Sequence, residues 1–175
     1  MNLLLIVSIV FLNLSCGDTS TKEPEDKGYI ISIGDTPENI EFKLTDGKTI
    51  ALEQLKGKVV VLQFTASWCS VCRKEMPHLE KEVWQRFKEE DFILIGVDYD
   101  EPLDKVVAFK KQMKTTYPMS LDLDAEIFSK FAHKKSGVTR NVVLNKDGEI
   151  VFLTRLYERK EFEEMVAKID ELLNN

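Results

Sequence analysis

The chain is expected to fold as one α/β domain: a central mixed β-sheet with helices on both faces and a β-hairpin at its N-terminal end. Two apolar runs, Val59–Phe64 and Phe92–Val97, have the length of buried strands, and each is followed by sequence of helical periodicity. Two Asp-Gly pairs, Asp46-Gly47 and Asp147-Gly148, lie between short apolar segments and mark tight hairpins. Strand–helix alternation implies a central parallel pair, and the late hairpin adds antiparallel strands.

The elements follow in order. Glu41–Leu44 and Thr49–Leu52 flank the first turn, and Glu53–Lys58 forms a polar bridge into the strand Val59–Phe64. A long helix is predicted from Cys69 or Ser70 to about Glu90, with Val71, Met76, Leu79, Val83 and Phe87 near helical spacing. Pro77 lies inside it and should kink it, because proline lacks the N–H that the helix requires. The strand Phe92–Val97 ends at Asp98-Tyr99-Asp100. Pro102 opens another helix with Val106, Val107, Phe109 and Met113 on its apolar stripe. Asp124 is the expected cap of a short helix through Glu126, Ile127, Phe128 and Phe131. Val142–Leu144 and Ile150–Leu153 form the second hairpin. A final amphipathic helix carries Phe162, Met165, Val166, Ile169 and Leu172.

The 175 residues, 43% hydrophobic and 31% charged, suit one globular domain plus an appendage. The net charge of −6 and pI of about 5.1 leave no basic footprint for nucleic acid. The appendage is N-terminal. Leu3–Leu14 is an almost unbroken apolar run, too short to span a bilayer but of signal-peptide length. Cys16 follows at once, and then a polar stretch to Gly28. This layout resembles a bacterial lipoprotein signal, with Cys16 as the lipidated residue. It departs from that pattern at Asn13, where leucine is preferred, and in Met1-Asn2, which carries no basic residue. A plain secretory signal with an incidental cysteine is the alternative. The expected organisation is a signal peptide over 1–15, a flexible linker over 16–29 and the folded domain over 30–175. Export places the remaining cysteines in a compartment where disulfides persist.

Those cysteines carry the chemistry. Trp68-Cys69-Ser70-Val71-Cys72 sits between a buried strand and a helix. A thiol at a helix N-terminus faces unpaired N–H groups and the positive end of the macrodipole, which favours its thiolate. A second thiol one turn along can close a small disulfide ring, so the pair can exchange two electrons with another dithiol. Zinc is a rival reading. It needs two further ligands, and only Cys16, His78 and His133 remain among cysteines and histidines, none in a second paired cluster. An inert pair is the other alternative.

From Gly57 to Pro77 the sequence GKVVVLQFTASWCSVCRKEMP resembles the thioredoxin superfamily, and within it the TlpA/ResA-like exported thiol-disulfide oxidoreductases. Supporting similarity lies in Phe42–Gly47 and in Val142–Ile150, and the resemblance covers roughly Gly34 to Leu173. It implies a thioredoxin-like fold, with Cys69 as exposed nucleophile and Cys72 as resolving thiol. It implies that Glu75 tunes the cysteines or takes a proton from Cys72; a solvated helix glutamate is the plainer reading. Gln63 stands where classical thioredoxins have a buried aspartate. Trp68 is expected beside Cys69, shaping the docking surface or simply packing. The family has a cis-proline before the late hairpin, and here that place holds Thr139, within Gly137-Val138-Thr139-Arg140. Val138, Thr139 and Arg140 are thus expected to line the active-site wall. Arg140 then either favours a thiolate or is a surface strand residue.

The resemblance implies a redox-active disulfide as the only redox group, with no separate cofactor and no metal. It implies client proteins bearing disulfides, an unidentified thiol–disulfide electron donor, and a place in the cell envelope on a lipid anchor. Two other readings stand beside it: a thiol peroxidase, although the P-x-x-x-T-x-x-C motif is missing, and a metal- or iron–sulfur-binding module permitted by loss of the proline.

Overall fold

A computed structural model of the chain describes residues 27–175. The expected signal peptide, Cys16 and the linker up to residue 26 lie outside the described residues. One seven-stranded sheet runs in the order β2-β1-β5-β4-β3-β6-β7. Its strands are β1 Glu41–Leu44, β2 Thr49–Ala51, β3 Val59–Thr65, β4 Phe92–Tyr99, β5 Met119–Asp122, β6 Arg140–Leu144 and β7 Ile150–Leu153. β3, β4 and β5 are parallel, and the two hairpins pair antiparallel on either side, so the sheet is mixed as expected.

β3 is buried at every position, which explains its unbroken apolar run. Val60, Leu62 and Phe64 face one core, and Val59 and Val61 the other. The second core takes the α-helices: α1 Ser70–His78, α2 Gln85–Phe87, α3 Leu103–Met113 and α4 Arg159–Asn174. The first core is closed by short 3-10 turns at Leu52–Leu55, Leu123–Ala125 and Phe128–Lys130, and by Tyr29 and Ile31.

The predicted long helix is α1 and α2 joined by a π-helical turn over Leu79–Trp84. Proline inside a helix removes one backbone donor, and the turn that follows rewinds to keep Met76, Leu79, Val83 and Phe87 on the core. The helix ends near Phe87 rather than Glu90.

Four details differ from the sequence expectations. Glu53–Lys58 is not merely a polar bridge, because Leu52 and Leu55 are buried beneath a 3-10 turn. β5 is an additional strand; its four residues are too few to display a period, and it pairs β4 with β1, tying the first hairpin to the sheet. Asp122, not Asp124, caps the turn after it, its oxygens accepting from the N–H groups of Ile127 (2.7 Å) and Phe128 (2.8 Å). Tyr29, expected in the linker, is partly buried against the first core and bridges to Ala132.

Gly96 in β4 explains one further fit. A Cβ there would lie 2.4 Å from Met119 Sδ and 3.2 Å from the Tyr117 ring. Its absence lets Tyr117 cross the sheet and donate to Gln63 Oε1 at 2.8 Å.

Candidate active site

The site forms where β3 ends and α1 begins. Cys69 is the N-cap residue of α1, with extended backbone, and its sulfur accepts from the Cys72 N–H at 3.2 Å. Cys69 is 8% exposed and Cys72 fully buried, and the two are joined as a disulfide with Cα atoms 5.3 Å apart. The asymmetry follows from helix geometry: the capping residue meets solvent and the residue one turn later points inward.

The loop leading to Cys69 is held from two sides. Glu101, itself buried, accepts from the Ser67 N–H and from the Ser67 hydroxyl, both at 2.6 Å. Arg73 Nε donates to the Ser67 carbonyl at 2.8 Å. Trp68 projects into solvent, 64% exposed, with its ring edge-on to Tyr99 at 6.4 Å. It precedes Cys69 as an exposed side chain and not as a core residue.

Thr139 reaches the disulfide from the opposite loop. Its Oγ1 lies 3.0 Å from Cys69 Sγ and 3.2 Å from Cys72 Sγ. All peptide bonds among the described residues are trans, Val138–Thr139 included. Gly137 makes this loop possible. It adopts φ +80°, and a Cβ would lie 2.5 Å from Arg155 Nη2. Val138 is buried and joins the first core.

Glu75 is not a solvated helix residue. It is 1% exposed, with Oε1 accepting from Asn141 Nδ2 at 2.7 Å and Oε2 from Gln63 Nε2 at 3.5 Å. Burial outweighs those hydrogen bonds and raises its pKa to about 7. Asn141 is in turn fixed by Thr154, and Gln63 by Tyr117. A titratable carboxyl thus sits one helical turn beyond Cys72, held by two neutral amides that are themselves fixed by two hydroxyls.

Arg140 is fully buried, so it is not a surface strand residue. Its Nη1 donates to the Lys27 carbonyl at 3.0 Å, and its Nη2 to the Gly137 carbonyl at 3.0 Å and to the Ser136 hydroxyl at 2.9 Å. The guanidinium also stacks over Tyr29 at 4.5 Å and Phe128 at 5.4 Å. These contacts brace the Thr139 loop from behind.

Sequence reasoning missed a second acidic group. Asp98, at the end of β4 and in register with Thr65, is fully buried, and neither oxygen has a hydrogen-bond partner. Burial first, then the nearby Glu101 and Asp122 carboxylates, raise its pKa to about 8. The available signal was an aspartate continuing a strand that is buried on both faces. No group of three His, Cys, Asp or Glu side chains able to hold a metal ion exists among the described residues.

A capping cysteine at a helix N-terminus, a buried partner one turn on and the Thr139 loop facing both sulfurs define a thiol-disulfide oxidoreductase of thioredoxin-like fold. The chain belongs to the AhpC/TSA family, whose model matches residues 33–153. It is similar to the thiol-disulfide oxidoreductase ResA of a Bacillus cereus strain, 32% identical over 121 residues that cover 69% of this chain and 68% of the relative. ResA of Bacillus subtilis (strain 168) is 31% identical over 121 residues, covering 69% and 66%. A solution structure from Bacteroides thetaiotaomicron, described as a candidate protein disulfide isomerase, is 53% identical, with a TM-score of 0.82 and coverage of 85% and 94%. The thioredoxin domain of a thiol-disulfide oxidoreductase from Bacteroides vulgatus is 22% identical, with TM-score 0.68 and coverage of 82% and 99%; that likeness concerns the fold alone.

Proposed function

We propose that the chain reduces disulfides of client proteins in the cell envelope, held at a membrane through a lipid on Cys16 and recharged by a separate dithiol donor. The observation that carries the reading is the capping position of Cys69, whose sulfur accepts from the Cys72 N–H at the N-terminus of α1.

In the dithiol form the Cys69 thiolate attacks one sulfur of the client disulfide. That S–S bond breaks, a mixed disulfide forms, and the departing client sulfur takes up a proton. Cys72 then loses its proton and attacks Cys69 Sγ. The mixed disulfide breaks, the second client sulfur leaves and is protonated, and the Cys69–Cys72 bond is restored. The client gains two electrons and two protons; the protein gives up two electrons and the Cys72 proton, and the Cys69 proton, released to solvent when the thiolate formed, balances the second. Glu75, one turn from Cys72 and titrating near neutrality, is suited to accept the Cys72 proton. Trp68, Val138 and Thr139 form the wall against which the client sulfur is presented.

The test is a redox titration of the full chain against glutathione and dithiothreitol buffers, read by mass after alkylation. A reversible two-electron couple below about −250 mV supports a reductant, and one above about −180 mV an oxidant. Cys69→Ser should abolish disulfide exchange, and retained exchange would remove Cys69 as nucleophile. Peroxide consumption that depends on Cys69, without disulfide exchange, would favour the peroxidase reading instead.

A further inference from the structure

A groove of about 670 Å³ reaches the active-site helix, where Val71, between the two cysteines in sequence, forms part of its wall. Its charge is opposite to that of the molecule. Lys27, Lys74, Lys135 and Arg155 line it against a single carboxylate, Glu158, on a chain whose net charge is −6. Lys27 already pairs with Glu161. Lys74, Lys135 and Arg155 have no acidic side-chain partner among the described residues, apart from the bond Glu161 accepts from the Arg155 backbone N–H.

We propose that this groove receives an acidic segment of the client, adjoining the disulfide that Cys69 attacks. The inference rests on the oxidoreductase reading and names its substrate class. Arg155 is preorganised to meet a carboxylate. Its guanidinium donates to the Ser136 carbonyl at 2.6 Å and the Thr139 carbonyl at 3.3 Å, so its charge is fixed with no carboxylate quenching it. Those same bonds tie the groove to the loop that carries Thr139 to the sulfurs. Leu156, 47% exposed and held at φ 66°, offers an apolar contact between the cations. A peptide strand with carboxylates near its cysteine fits this mixture of fixed charge and apolar floor. The acidic remainder of the surface repels such a client elsewhere, and the groove focuses it onto Cys69.

The test uses the full chain in detergent and three peptides of equal length, each with one internal disulfide flanked by Asp and Glu, by Asn and Gln, or by Lys. The reduced protein should reduce the acidic peptide roughly tenfold faster than the neutral one in about 0.02 M salt, the order expected of several exposed ion pairs acting together. The difference should collapse in about 0.5 M salt and in the double variant Lys74→Gln/Lys135→Gln. Lys160→Gln, outside the groove, should retain it. Equal rates for acidic and neutral peptides, or a preference that survives in the double variant, would overturn the inference. Binding of serine-for-cysteine versions of the peptides to the oxidised protein separates the two readings. Tighter binding of the acidic peptide, with chemical-shift changes at Val71 and Leu156, supports the groove even where no peptide is reduced; that result would count against the oxidoreductase reading alone. Tighter binding of a short oligonucleotide than of the acidic peptide would overturn the proposal in favour of a general polyanion site.

Discussion

The Thr139 hydroxyl lies within hydrogen-bonding reach of Cys69 Sγ, at 3.0 Å. Neither sulfur of a disulfide bears a hydrogen, so in the oxidised protein the hydroxyl is the donor. After reduction it can donate to the Cys69 thiolate while accepting from the Cys72 thiol, which it approaches at 3.2 Å. A donor to the charged form stabilises that form.

Thr139→Val keeps the branched shape and removes the donor. The Cys69 pKa should rise by about one unit, the size of one hydrogen bond to a charged group. Alkylation of the reduced protein followed against pH reads this directly, and Thr139→Ser should return the profile toward that of the parent. Superimposable profiles for Thr139→Val and the parent would show that the hydroxyl does not tune the thiol.

Glu75 offers a second titration. Its folded pKa of about 7 lies above its ordinary value of 4.5, with burial as the main cause. The folded state therefore favours the protonated carboxyl. This contribution is fully present below about pH 4.5 and is lost as pH rises through about 7. Glu75→Gln should flatten stability between those limits, as measured by urea midpoints at a series of pH values. It should also remove a step near pH 7 from the rate at which Cys72 resolves a mixed disulfide. A step that persists in the variant would assign that proton elsewhere.

The two cysteines, the helix they cap and both hairpins were legible because each depends on local signals: an apolar run, a periodic stretch, an Asp-Gly turn. The burial of Glu75 was not, since its position on α1 allows a solvated face equally well. Only the pairing of β6 with β3, which brings Asn141 opposite Gln63, encloses it. Arg140 misled for a related reason. An arginine on a strand normally faces water, and nothing nearby in sequence announces that Tyr29, more than a hundred residues earlier, supplies a ring for it. β5 escaped because Met119–Asp122 alternates over too few residues to be told from a loop.

Arg140 gives a prediction about stability. Arg140→Met keeps much of the volume but leaves the Lys27 and Gly137 carbonyls and the Ser136 hydroxyl without their donor. The expected loss is about 2–4 kcal/mol in unfolding free energy, the range for breaking a buried hydrogen-bond network. Arg140→Lys should recover little, because an ammonium group cannot span the same fork of acceptors. A urea midpoint in Arg140→Met equal to that of the parent would show that the carbonyls find water instead.

Asp98 predicts the reverse, a substitution that stabilises. Its carboxyl is buried without partners behind the loop that presents Trp68 and Cys69, and Glu101, which holds Ser67, is one of the acids that raise its pKa to about 8. The unfolded chain ionises this group near 3.8, the ordinary value. Folding thus favours the protonated form, and its contribution falls steadily as pH rises from about 4 to about 8. Asp98→Asn keeps the shape and cannot ionise. Its advantage over the parent should be small near pH 4 and reach about 1–3 kcal/mol at about pH 8.5. Paired thermal melts at the two pH values check it. A variant that is less stable than the parent at the higher pH would mean that the ionised carboxylate has a stabilising partner in the folded protein.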